Sequence, residues 1–252
     1  MSANKIAIVT GGSRGIGRDA VLRLAKRGVR SIFTFNSNRA ETEKVISLTA
    51  EAGARGTAIQ LDAGKIETFD GFVAQVRDAL GEFKAQRFDY LVNNAGTSSN
   101  ASLATITPAE MDALYSVHFK GVVFLTQKLL PLMNDGGRIV NISSGLARFT
   151  APNRIGYGAM KAAIEAATRY MAMELGPRKI AVNVVAPGAI ATDFSGGFVR
   201  DNPAVNKHIA DITALGRVGG PEDVGPVIAA LLSDEMGWVN AQRIEVAGGI
   251  HI

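Results

Sequence analysis

Short apolar, β-branched runs alternate along this chain with segments of helical period. Lys5-Ile-Ala-Ile-Val-Thr10 is the first run and reads as a strand. A glycine-rich stretch follows, and then Arg18–Arg27, in which Val21, Leu22 and Ala25 recur at helical spacing before Gly28 supplies a stop. The same alternation predicts strands near 4–10, 30–35, 56–61, 88–93, 137–143, 179–185 and 243–247. Helices are predicted near 15–28, 39–52, 65–80, 108–134, 155–175 and 221–233. Thr107 and Pro108 make a helix start, with Thr as N-cap and Pro in the first turn. Pro131 is expected to kink or end the long helix that contains it. Strands alternating with helices imply an α/β fold, a doubly wound parallel sheet of about seven strands with helices on both faces. Ligands of such sheets bind beyond the carboxyl ends of the strands.

Composition adds limits. A chain of 252 residues, 47% hydrophobic and 20% charged, can bury a large core. No repeat or low-complexity linker divides 1–252, so a single domain is expected. There is no cysteine, which excludes disulfides, thiolate catalysis and cysteine metal sites, and no metal is expected. A short polar lead runs into the first strand without a signal-peptide core. No apolar stretch is long enough to cross a bilayer, so a cytoplasmic location without membrane partners is expected. The net charge of +4 is scattered rather than clustered, unlike a nucleic-acid footprint.

Two segments carry chemistry. Gly11-Gly-Ser-Arg-Gly15-Ile-Gly17 joins a strand to a helix. Glycines there let the backbone approach a pyrophosphate, and the helix N-terminus supplies free N–H groups and partial positive charge. Further on, Arg138-Ile-Val-Asn-Ile-Ser-Ser144 reads as a buried strand, and Tyr157-Gly-Ala-Met-Lys161 opens a helical pattern. Tyr157 and Lys161 share one helix face. A fixed ammonium beside a phenol favours phenolate, so Lys161 is expected to lower the Tyr157 pKa toward the range of a general acid-base. The Ser144 hydroxyl can hydrogen-bond a substrate oxygen.

In order and spacing these segments resemble the short-chain dehydrogenase/reductase family over nearly the whole chain. Thr10-Gly-Gly-Ser-Arg-Gly-Ile-Gly17 is similar to its cofactor turn, Leu91-Val-Asn-Asn-Ala-Gly96 to its Asn-Asn-Ala-Gly strand end, and Pro187-Gly-Ala-Ile-Ala-Thr192 to its Pro-Gly-x-Ile-x-Thr segment. Ser144, Tyr157 and Lys161 fall on its catalytic positions. The resemblance implies a Rossmann-like domain that binds a nicotinamide dinucleotide through Gly11, Ser13, Arg14, Gly15, Ile16 and Gly17. Further cofactor contacts are implied from Asp62 and Ala63, from Ala95 and Gly96, from Tyr157 and Lys161, and from Pro187 and Gly188. Asn93 would line the adenosine side, and Ile190 and Thr192 the carboxamide. Asp62 would hold the adenine amino group or simply form a turn. The family commonly forms homotetramers through its fourth and fifth helices.

The second strand ends Ser31-Ile-Phe-Thr-Phe-Asn36-Ser37-Asn38-Arg39, with no acid before Glu41. An acid there would repel a 2′-phosphate, whereas Asn36, Ser37 and Asn38 can donate to one and Arg39 and Arg14 add charge. NADP is therefore expected over NAD, with solvated surface the alternative for Arg39. The family usually carries an asparagine in its fourth helix, holding a water that links the lysine to solvent. Here Ser116-Val-His118-Phe-Lys-Gly121 puts His118 at that position. Its imidazole can relay protons or merely pack.

The expected activity is hydride transfer between nicotinamide and a carbonyl or secondary alcohol of a small molecule: a ketone, sugar or polyol. Tyr157 is the expected acid and Ser144 the substrate hydrogen-bond partner. A 3-oxoacyl-carrier-protein reductase is the alternative; Arg178 and Lys179 would suit an acidic carrier at the mouth, but Asn134-Asp135 would not. A non-catalytic NADP-binding sensor is a second alternative, opposed by the retained tyrosine and lysine. Residues 193–217 are expected to form a mobile lid, with Phe194, Phe198 and Met160 as an apolar wall or as packing. Arg148 and Arg154 flank the loop before Tyr157, where they could meet a negatively charged substrate; pointing to solvent is the favoured alternative.

Overall fold

The computed structural model describes residues 5–252; Asn4, where the first strand was expected to open, lies outside them. The strands are β1 (Ile6–Val9), β2 (Arg30–Phe35), β3 (Gly56–Gln60), β4 (Phe88–Asn93), β5 (Met133–Ile142), β6 (Ala181–Pro187) and β7 (Arg243–Val246). All pair in parallel, in the order β3-β2-β1-β4-β5-β6-β7. The helices are α1 (Gly15–Ala25), α2 (Arg39–Glu51), α3 (Phe69–Glu82), α4 (Pro108–Tyr115), α5 (Gly121–Leu129), α6 (Ile155–Leu175), α7 (Phe198–Asp201), α8 (Pro203–Asp211) and α9 (Pro221–Leu231). This is a Rossmann-like doubly wound sheet.

The inner strands β1, β4 and β6 are mostly apolar and fully buried because both faces are covered. Along β1, Ile6 and Ile8 point into one core layer with Phe69, Phe72 and Leu125 from α3 and α5. Ala7 and Val9 point into the other, with Val21 and Leu24 from α1 and Ile228 from α9. The period of two divides one short strand between two cores. Strand order runs outward from β1 to β3 and resumes on the other side at β4, so the carboxyl ends of β1 and β4 flank the switch point where such sheets bind ligands.

Several boundaries depart from the sequence expectation. The helix expected over 108–134 is three pieces: α4, one π turn over Ser116–Lys120, and α5, ending in a 3-10 turn at Leu130–Leu132 that contains Pro131. The start is as expected, with Thr107 and Glu110 forming a capping box. Strand β5 opens four residues earlier than expected, at Met133. Gly136 and Gly137 look like a turn in sequence, but they form a register shift against Phe88 and Tyr90, where a Cβ on Gly137 would stand 2.6 Å from the Asp89 carbonyl. Strand β6 starts at Ala181 rather than at 179, because Lys179 takes a left-handed conformation (φ 56°) at the end of a 3-10 turn. The expected lid contains two helices absent from the sequence expectation, α7 and α8. Asn202 caps α8 by accepting from the N–H groups of Ala204 and Val205, with Pro203 at the first helical position.

Candidate active site

The glycine turn between β1 and α1 is shaped by close approach. A Cβ on Gly12 would stand 2.6 Å from the Phe33 Cβ, and one on Gly17 only 2.2 Å from the Gly11 carbonyl oxygen. Gly11 has φ +65° and donates to Thr34 Oγ1 at 2.9 Å. Asn94, the second asparagine of the Asn-Asn-Ala-Gly segment and one to which sequence alone assigns no role, locks the turn from the end of β4: its side chain donates to the carbonyls of Thr10 and Gly11 at 2.9 and 3.1 Å. Thr10 Oγ1 in return accepts the N–H groups of Asn94 and Ala95, each at 2.9 Å. The N-terminus of α1 has no side-chain cap and no acid in its first turn, and Arg14 stands exposed beside it. Gly15 (φ +54°) faces the Thr192 methyl, bringing the turn against the 187–192 segment. Ser13 is buried and Ile16 packs on the core.

The other cofactor candidates surround this turn. Asn36, Ser37, Asn38 and Arg39 are all exposed. The Asn38 oxygen is engaged as the N-cap of α2, and Arg39 lies 3.9 Å from Glu43. Asp62 accepts from the Gly64 N–H at 3.0 Å, the turn-forming role open to it in sequence, and Ala63 presses its carbonyl against Gly121. Gly96 packs on His118, Gly188 on Ala247, Pro187 ends β6, and Ile190 pairs with Gly219. Asn93 departs from expectation. Its side chain faces the interior and donates to Thr126 and Asn141, which in turn donates to Thr168. That side chain is therefore committed to the interior network.

Ser144 follows the end of β5, and Tyr157 and Lys161 occupy the first turns of α6, all three buried. The Lys161 ammonium donates to the Ile142 carbonyl at 2.7 Å and lies 5.6 Å from the Tyr157 ring centre. The expected pKa relation between them is reversed. Burial pushes the Tyr157 phenol up to about 12, against the opposing Ser144 hydrogen bond and Arg154 charge. Burial alone brings Lys161 down to about 7. Desolvation penalises each charged form, and here it outweighs the attraction the spacing promised.

His118 sits in the π turn, a helical irregularity common at functional sites, with its ring edge-on to Tyr157 at 5.3 Å. Burial, then the Lys161 charge, lowers its pKa to about 3, so the ring is neutral. Nε2 lies 2.7 Å from the Thr97 carbonyl. The Thr97 N–H also points at Nε2, at 3.3 Å, and one ring nitrogen cannot serve both. The shorter contact, to a carbonyl that can only accept, puts the proton on Nε2 and leaves Nδ1 a buried acceptor without a hydrogen-bond partner among the described residues.

Of the peripheral candidates, Phe194 reaches the site, its ring 5.9 Å from that of Tyr157. Ser195 donates to Ser98 at 2.8 Å, joining the 193–217 segment to the loop after β4. Arg148 is exposed, as expected, while gripping both oxygens of Glu245; Arg154 is partly buried instead and donates to the Ser99 carbonyl. Arg178 and Lys179 precede β6 and so stand at the amino end of the sheet, as do Asn134 and Asp135 in β5. About nine residues of strand, roughly 30 Å, separate Asp135 from Ser144. None of the four can frame the mouth.

A family profile described as enoyl-(acyl carrier protein) reductase matches residues 11–251. A hydroxynaphthalene reductase-like protein of Metarhizium brunneum is 34% identical, the match covering 98% of this chain and 95% of that one. An angucycline C-6 ketoreductase crystallised with bound NADP superposes with a TM-score of 0.92 at 32% identity, covering 98% and 95% of the two chains. A promiscuous reductase that catalyses keto-reduction at C1 during lugdunomycin biosynthesis gives 0.90 at 35%, covering 98% of each. On sequence, fold and similarity together, the chain belongs to the short-chain dehydrogenase/reductase family of oxidoreductases.

Proposed function

We propose that this protein is an NADPH-dependent ketoreductase of small molecules, a single-domain cytoplasmic enzyme that assembles as a homotetramer. The observation that carries the reading is the buried group Ser144, Tyr157 and Lys161 at the carboxyl end of β5, beside an uncapped helix N-terminus. The donor set fits a dinucleotide phosphate: free N–H groups in the first turn of α1, no acid in that turn, and the exposed Arg14. The absence of an acid at the end of β2, with Asn36, Ser37 and Arg39 exposed there, supports NADP over NAD. The NADP bound in the angucycline ketoreductase supports the same choice. The exposed Tyr115, Phe124, Tyr170 and Met173 on α4, α5 and α6 support subunit contacts there, and no helix among the described residues is long and apolar enough to cross a membrane.

When bound, the reduced nicotinamide supplies a hydride to the carbonyl carbon. Ser144 Oγ hydrogen-bonds the substrate oxygen, and Tyr157 Oη delivers its proton there as negative charge develops. A phenol at about 12 is fully protonated at neutral pH, which is the form a reduction requires. Lys161, at about 7, is poised to hold the resulting phenolate as an ion pair and to return a proton to it. Asn94 and Thr10 keep the glycine turn in shape, and Phe194 closes the apolar side of the Tyr157 ring. The carrier-protein alternative loses its anchor, because Arg178 is spent on Asp135 and on the Leu130 and Met133 carbonyls at the far end of the sheet. NADPH absorbance during a screen of cyclic and acyclic ketones tests the proposal. Tyr157→Phe should cut turnover by about a thousandfold with NADPH affinity nearly intact; a Phe variant as active as wild type removes the mechanism.

A further inference from the structure

Arg243 stands on β7, outside every motif discussed so far, yet its guanidinium reaches the two elements that carry the catalytic groups. Its Nε donates to Glu165 Oε1 at 2.7 Å and its Nη2 to the Ser144 carbonyl at 3.4 Å. Glu165 lies one turn beyond Lys161 on α6. The same Glu165 oxygen lies 2.6 Å from Ser143 Oγ, whose single proton is shared with the Lys161 carbonyl at 3.1 Å. The last ladder bond of β5 here is Ser143 N–H to Val185, so the backbone leaves the sheet at Ser144, whose carbonyl accepts from the Ala147 N–H and from Arg243 and whose Oγ accepts from the Leu146 N–H. A second, outer half of the cluster faces away from the site. Arg243 Nη1 donates to Glu245, and Arg148 grips Glu245 and the carbonyls of Ile250 and His251.

We propose that Arg243 is a positioning residue for the reduction, fixing the end of β5 against α6 and thereby Ser144 against Lys161; this rests on the activity proposed above. The charges balance, two arginines against two carboxylates, and the Arg243 and Glu165 side chains are only 25% and 14% exposed. A half-buried, charge-balanced pair with short hydrogen bonds holds geometry better than a surface ion pair. Its inner half touches the catalytic segments, whereas its outer half ties down the C-terminal residues. Removing each half separately distinguishes positioning from general stabilisation.

The test compares Arg243→Met, Arg243→Lys and Arg148→Met for NADPH-dependent ketone reduction, alongside crystal structures. Arg243→Met should lower kcat by about tenfold or more, as misplacement of reacting groups does, with the KM for NADPH within about twofold. Arg243→Lys should recover part of that loss, and Arg148→Met should keep kcat near wild type. If Arg243→Met is insoluble, Glu165→Gln carries the same expectation. Equal losses in Arg243→Met and Arg148→Met, or unchanged kcat in Arg243→Met, overturn the proposal. Wild-type protein inactive on every ketone defeats the activity itself, and the crystallographic arm then decides: Ser144 and Lys161 undisplaced in the Arg243→Met structure overturn the role given to Arg243.

Discussion

Acid should reveal what it costs to bury the His118 ring. In the unfolded chain this imidazole titrates near 6.5, while in the folded protein burial and the Lys161 charge hold it near 3. Between those values the unfolded chain binds a proton that the native state refuses, so stability is intact above 6.5 and falls as pH drops. At about pH 5 the gap to 6.5 is 1.5 pH units, and at about 1.4 kcal/mol per unit that gives about 2 kcal/mol lost. At about pH 7.5 the cost is close to zero. The ring is 2% exposed, so solvent screening takes little away. Asparagine at this position cannot titrate, and its amide can still donate to the Thr97 carbonyl. Urea unfolding of ligand-free wild type and His118→Asn at the two pH values reads the effect directly. Wild type should lose about 2 kcal/mol more than the variant on acidification. Parallel losses in the two proteins would refute the placement of a neutral, desolvated imidazole beside Lys161.

Lys161 gives the complementary signal on the alkaline side. Its pKa falls from 10.5 to about 7 on folding, so ligand-free protein should gain about 2 kcal/mol of stability between about pH 7 and 9, a rise that Lys161→Met should abolish. Gly12→Ala should destabilise by about 1–3 kcal/mol in thermal or urea melts, because its methyl would meet the buried Phe33 at 2.6 Å; an unchanged melting curve would contradict that packing. Arg14→Ala should weaken NADPH binding by about tenfold while changing NADH binding less, the loss of one charge-assisted contact to phosphate, measured by fluorescence titration.

What sequence revealed and what it hid divide along physical lines. Runs such as Ile6–Val9 and Val182–Val185, the latter broken by Asn183, announce strands because a parallel sheet covered on both sides favours apolar residues on both faces. The glycine turn was legible because steric exclusion is written into residue identity, as at Gly12 and Gly17. The π turn at Ser116–Lys120 was not, since inserting one residue into a helical ladder leaves composition and period almost unchanged. Helix α8 could have been found, because Asn202-Pro203 is a cap followed by a first-turn proline. The Tyr157–Lys161 electrostatics were misread for a different reason: spacing shows which charges are neighbours but not how much water is left around them. Asn94, Ser143, Glu165 and Arg243 act through partners 18 to 99 positions away, which no local pattern encodes.

The one-sidedness of the sheet also makes the two ends of the chain unequal for anyone who wishes to attach this protein to something. Lys5 enters at the amino end of β1, the end remote from the glycine turn, and is pinned there by Asp89 at 2.9 Å. By contrast, the Ile250 and His251 carbonyls are gripped by Arg148, in the loop that follows Ser144. A tether or reporter joined ahead of Lys5 leaves the entrance clear, whereas a fusion after Ile252 would pull on the strap that Arg148 fastens.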